Sequence, residues 1–127
     1  MINAVHSLVY ADDPEAARSF FKEVLEWPYV DAHGGWLIFQ SGPSELGVHP
    51  TSGSHEGQEW KTEMHHELTL MCDDLIQTMA ELTAKGATFA GEAQEASFGL
   101  TATLKIPGAG EMTLYQPRHR TAYDLPV

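Results

Sequence analysis

The chain has 127 residues and a mass of 14.0 kDa, the size of one domain, and its 43% hydrophobic content is enough to fill a core. Seven Lys and Arg against 18 Asp and Glu give a formal charge of −11, which repels polyanions and argues against nucleic acid and anionic membranes as partners. No apolar run reaches the ~18 residues of a membrane helix, the N-terminus lacks the basic-then-apolar layout of a signal peptide, and a lone cysteine excludes an internal disulfide, so a cytoplasmic protein is expected.

The first apolar run, INAVHSLVY (residues 2–10), predicts a strand with Ala4, His6, Leu8 and Tyr10 on one face. In DDPEAARSFFKEVLEW, Asp13 followed by Pro14 is an N-cap with proline in the first turn. Ala17, Phe20, Phe21, Val24 and Leu25 then form an apolar stripe at helical spacing, so a helix ending near Trp27–Pro28 is predicted. Short strand-like runs follow in WPYVDAHG, GWLIFQ and ELGVHP. The stretch TSGSHEGQEWKTEM (51–64) is polar and aperiodic, and reads as a linker or mobile loop long enough to act as a lid.

The order then repeats. HELTLMCDD predicts a strand, Asp73 or Asp74 a cap, and Leu75, Met79 and Leu82 a helical stripe stopped by Lys85–Gly86. Cys72, inside the apolar run, reads as a core residue. ATFAGEA, LTATLKI and EMTLYQP supply three further short strands. His6 stands to Glu67 as Asp13 stands to Asp74 and Phe21 to Leu82, each pair 61 residues apart. Each half therefore reads β-α-β-β-β, an α+β layout with mostly antiparallel strands.

These phrases, HSLVYADDPEAARSFFKEVL, ELGVHP, HELTLMCDDL, FGL and PGAGEMTLYQP, resemble the vicinal oxygen chelate superfamily, which includes glyoxalase I, extradiol dioxygenases and the bleomycin resistance proteins. The resemblance runs from about Ile2 to Pro117. It implies two βαβββ modules curled into a cup: one domain over residues 1–120, with module one at 1–50, the linker at 51–64 and module two at 65–117, before a tail at 118–127. It also implies a homodimer that completes or shares the cup.

In metal-using relatives the first and last strands of each module supply the ligands. Carried onto this chain, those positions fall on His6, Glu45, Glu67 and Thr113. Aligning the Asp-Asp turns of the two halves puts the third position on Glu67 rather than His66, which in a strand would face the other way, and a neutral threonine stands where relatives have a carboxylate. His6, Glu45 and Glu67 would hold a divalent metal such as Mn, Fe, Ni or Zn, with Glu67 and Glu45 as the catalytic carboxylates. Tyr10, Trp36, His49, Phe98, Thr113 and Tyr115 are the candidate substrate contacts. Two functions are consistent with the sequence: a glyoxalase- or dioxygenase-like metalloenzyme acting on a small oxygenated substrate, or a metal-free module that sequesters a small compound, for which the −11 charge favours a cation.

Overall fold

The computed structural model describes residue 4 and residues 6–126. Asp13 opens the first helix, its carboxylate accepting from the Ala16 backbone N–H at 3.1 Å, and α1 spans Pro14–Ser19. The helix then widens into a π-helical turn, Phe20–Val24, where the prediction has it run on toward Trp27. Here the Leu25 N–H donates to the Phe20 carbonyl at 3.1 Å. Glu26, at φ 58, breaks the helix, and Pro28 prevents its resumption. The wider turn brings Phe21 onto Trp27, with ring centroids 5.3 Å apart and the rings stacked.

The chain continues into β1 (Tyr29–Asp31) and β2 (Leu37–Phe39), an antiparallel pair with Tyr29 opposite Phe39. Residues 51–64 are not the aperiodic linker expected: β3 (Ser52–His55) and β4 (Gln58–Lys61) form a hairpin. Its two-residue loop, Glu56–Gly57, has both φ angles positive, the geometry that matches strand twist in tight hairpins.

Module two keeps the predicted order of elements, but ATFAGEA (87–93) forms only an isolated bridge, Phe89 to Leu104, and the strand expected there lies at Gln94–Ala96. β5 (Thr69–Met71) leads to α2 (Leu75–Ala84), capped by the Asp74 carboxylate on the Gln77 N–H, then to β6 (Gln94–Ala96), β7 (Gly99–Lys105) and β8 (Glu111–Pro117). These strands form one sheet in the order β5-β8-β7-β6, with β5 parallel to β8 and the rest antiparallel. The fold is α+β, with mostly antiparallel sheets that remain unclosed.

The core lies on one face of this sheet. Leu75 of α2 packs on Ala102 and Leu114, while Ala17, Phe20 and Phe21 of the first helix pack on Leu104 and Ile106. Leu75 and Leu104 are fully buried, each contributing about 2–3 kcal/mol of transfer free energy. The first helix is also tied to the sheet, since the Asp13 N–H donates to the Gly108 carbonyl at 3.0 Å in the turn between β7 and β8.

Module one departs from the prediction at both ends. Among the described residues, 6–10 and 44–50 form no strand, and Leu8, Tyr10, Leu46 and Val48 are 62%, 88%, 92% and 88% exposed. Strand formation depends on a neighbouring strand more than on local propensity, and neither segment has one. Residues 65–68 likewise precede β5 without joining it.

Candidate functional site

The sheet face opposite α2 opens onto a large cleft. β5, β8 and β7 are registered so that Thr69 lies beside Thr113, and Met71 beside Tyr115, which in turn lies beside Thr101. Side chains alternate across a strand, so the period that buries Leu114 and Ala102 against Leu75 turns Thr113, Tyr115 and Thr101 the other way. The cleft has a volume of about 1720 Å³, above the roughly 300–1000 Å³ usual for small-molecule pockets, because module one stands open around it.

Most of the residues singled out from sequence line this one cleft: His6, Glu45 and Glu67 of the implied ligand set, and Trp36, His49, Phe98, Thr113 and Tyr115 of the implied contacts. Tyr10 does not. It projects from an unpaired segment and is not among the lining residues. The opposite facing expected of His66 and Glu67 in a strand does not apply here, because residues 65–68 are not in a strand and His65, His66 and Glu67 all line the cleft.

Glu45 has partners of its own. One carboxylate oxygen accepts from the Ala122 backbone N–H at 2.8 Å, and the other lies 3.4 Å from Nε2 of His119. Its side chain is only 17% exposed. Among the described residues, no three His, Cys, Asp or Glu side chains come together as a group able to hold a metal ion. With Glu45 engaged by the tail and a threonine at position 113, the donors as arranged do not fit a bound metal.

Aromatic residues dominate the wall near β8. Tyr115 donates its hydroxyl to the Phe98 carbonyl at 3.0 Å, and the two rings lie 6.1 Å apart, tilted. Burial, and secondarily the Glu45 charge, push the Tyr115 hydroxyl above its ordinary pKa, which keeps the donating proton in place. The glycine in FGL is required by close approach: Gly99 has φ +149, and a Cβ there would lie 2.3 Å from the Gln116 carbonyl oxygen and 2.8 Å from the Tyr115 ring.

The charge inside the cleft differs from that of the chain. Only two of the 18 carboxylates, Glu45 and Glu67, line it, facing one guanidinium, Arg18, and five histidines. Arg18 stands over the Trp36 ring at 5.1 Å and was not singled out from sequence, because on the helix it reads as a solvent-facing charge. His119 and Tyr123 also line the cleft. Sequence reading left them in a surface tail, since nothing local relates Ala122 to a glutamate 77 residues earlier.

The model of the glyoxalase-like domain matches residues 6–114. Lactoylglutathione lyase from Agrobacterium tumefaciens aligns with a TM-score of 0.59 at 14% identity, over 90% of this chain and 93% of that one. TnmS3, an antibiotic binding protein from Streptomyces sp. CB03234, aligns with a TM-score of 0.56 at 20% identity, over 91% and 97%. A glyoxalase/bleomycin resistance protein/dioxygenase from Nocardioides aligns with a TM-score of 0.59 at 12% identity, over 99% and 91%. No curated protein matches the chain. At these identities the solved structures speak for the fold alone. The domain match over residues 6–114 makes the chain a member of the glyoxalase-like family, within the vicinal oxygen chelate superfamily.

Proposed function

We propose that the protein binds a small, largely uncharged aromatic molecule in this cleft and holds it without transforming it. The observation that carries this reading is the lining. Trp36, Trp60, Phe98 and Tyr115 offer stacking surfaces beside the hydroxyls of Thr101 and Thr113, while the donors a metal would need are not gathered. Each aromatic pair adds about 0.5–1.5 kcal/mol beyond area burial, and the hydroxyls would orient the ligand. The −11 net charge does not single out a cation, because nearly all of it lies outside the cleft. The fold shared with an antibiotic binding protein is consistent with a sequestering role.

A thermal-shift screen tests this reading, with uncharged polycyclic aromatics in one arm and cationic glycopeptides in the other. A ligand present at 100 times its Kd adds about 2.7 kcal/mol, roughly 10 °C for a domain of this size. A rise confined to the uncharged arm is expected. No shift in either arm at millimolar ligand would count against binding, and a rise confined to the glycopeptides would restore the cationic ligand.

A second reading retains a glyoxalase- or dioxygenase-like metalloenzyme, supported by His6, Glu45 and Glu67 lining one cleft. Near one equivalent of Mn, Fe, Ni or Zn retained after reconstitution would favour it. We also propose a homodimer, because the exposed Leu8, Tyr10, Leu46 and Val48 sit in segments without strand partners. Light scattering should then read twice 14.0 kDa, and a monomer mass at micromolar concentration would contradict it. No described helix is long and apolar enough to cross a membrane. We propose a cytoplasmic location, which the single thiol, Cys72, fits.

A further inference from the structure

The segment after β8 has no regular structure, yet it is fastened at several points. Arg118 donates its backbone N–H to the Phe98 carbonyl at 3.1 Å and its guanidinium to the Ala96 carbonyl at 2.8 Å, and it pairs with Glu95. These contacts hold the start of the tail against the β6–β7 turn. Beyond them the tail meets a different part of the chain: His119 and the Ala122 N–H take the two carboxylate oxygens of Glu45. The His119 ring lies 6.0 Å from the Tyr115 ring, and His119, Tyr123 and Glu45 all line the cleft.

Glu45 is unusual in its surroundings. Its neighbours Leu46 and Val48 are almost fully exposed, while its own side chain is mostly covered. The groups in contact with its carboxylate are those of the tail. Two irregular segments from opposite ends of the chain thus meet through one carboxylate at the cleft.

We propose that residues 118–126 are a strap along the cleft, latched by Glu45, and that release of the latch speeds a ligand's entry and exit. Arg118 is the fixed end, because its partners Glu95, Ala96 and Phe98 belong to β6 and the turn that follows it. Glu45 is the releasable end, because its partners are one backbone N–H and one imidazole of the strap itself, and it is carried on a loop without strand pairing. In this role Glu45 is a positioning residue that sets the closed state, not a group acting on the ligand. The proposal rests on the cleft being the binding site.

The latch is tested without ligand by amide exchange at Ala122 in the full chain. Glu45→Ala should raise that exchange on the order of 10-fold, the factor a charge-assisted hydrogen bond supplies, and Glu45→Gln, which keeps an acceptor without the charge, should fall between. Slow amides in β7 and β8 must stay unchanged in both variants, which separates release from unfolding. Ala122 exchange that does not respond to Glu45→Ala overturns the strap.

Entry is then read as the association rate of flavone, followed by quenching of tryptophan fluorescence. Glu45→Ala, and a chain ending at Arg118, should each associate several-fold faster than the full chain, and Glu45→Ala in the shortened chain should add nothing further. An equal gain from Glu45→Ala in both chain lengths overturns the proposal. Responsive Ala122 exchange with no flavone bound by any variant would support the latch and remove the binding reading instead.

Discussion

Gly99→Ala tests the architecture of the cleft wall. At φ +149 an L-residue is strained, at a cost of about 1–3 kcal/mol. The added Cβ would meet the Gln116 carbonyl oxygen at 2.3 Å and the Tyr115 ring at 2.8 Å, and the first of these is backbone of the paired strand and cannot rotate away. Overpacking of this kind costs a further ~1–3 kcal/mol, so a total of about 2–6 kcal/mol is expected. For a domain of this length that lowers the melting temperature by roughly 10–20 °C. Gly110→Ala is the control: Gly110 also has positive φ, +78, but nothing lies within 4 Å of the position its Cβ would take. Its cost is the left-handed backbone alone, about 1–2 kcal/mol. Thermal unfolding followed by circular dichroism compares the two. If Gly99→Ala melts no lower than Gly110→Ala, the close approach of β7 to β8 is not the constraint described.

The two helix caps give a second test. Asp13→Ala and Asp74→Ala should each cost about 1 kcal/mol in denaturant unfolding, and the double variant about their sum, since each cap serves its own helix. Loss of more than the sum would show the caps to be coupled. Tyr115 and Cys72 predict the alkaline limb of stability. Burial is the main cause raising both above their ordinary values of 10.0 and 9.0, so their neutral forms are favoured in the folded chain. The stability they contribute is complete below about pH 9 and is lost as pH rises through the raised values; Tyr115→Phe should flatten the upper part of that fall. Because the Cys72 thiol stays protonated and half-buried, iodoacetamide at pH 7 should label it much more slowly than a free cysteine peptide, and equal rates would refute its burial.

The sequence was legible where structure is local. Asp13 and Asp74 cap helices through the residue three positions on, and both apolar stripes pack as spaced, so the repeat at 61 residues survives in the caps and in the inward faces of the helices. β7 and β8 were legible because each alternates under one buried face. Three features were not. The hairpin at 52–61 turns on Glu56–Gly57, where a glutamate takes a left-handed conformation that Asn or Asp usually marks, so the turn signal is disguised. The π-helical turn at Phe20–Val24 changes hydrogen bonding without changing the apolar stripe. The segments at 6–10 and 44–50 have strand-like composition but no neighbouring strand among the described residues, and propensity alone does not form a strand. For the site, the positions carried over from the family fall on one cleft apart from Tyr10, while the engagement of Glu45 by the tail is a long-range contact with no local signature.

The central claim is that this cleft is a binding site for an uncharged aromatic ligand. The most direct test is a two-dimensional nitrogen–proton NMR titration with flavone as the probe. Saturable shifts are expected at the indole N–H groups of Trp36 and Trp60 and at the backbone amides of Phe98, Thr113 and Tyr115, with the α2 amides outside the cleft unmoved. Shifts absent at saturating probe, or centred on α2, would contradict it.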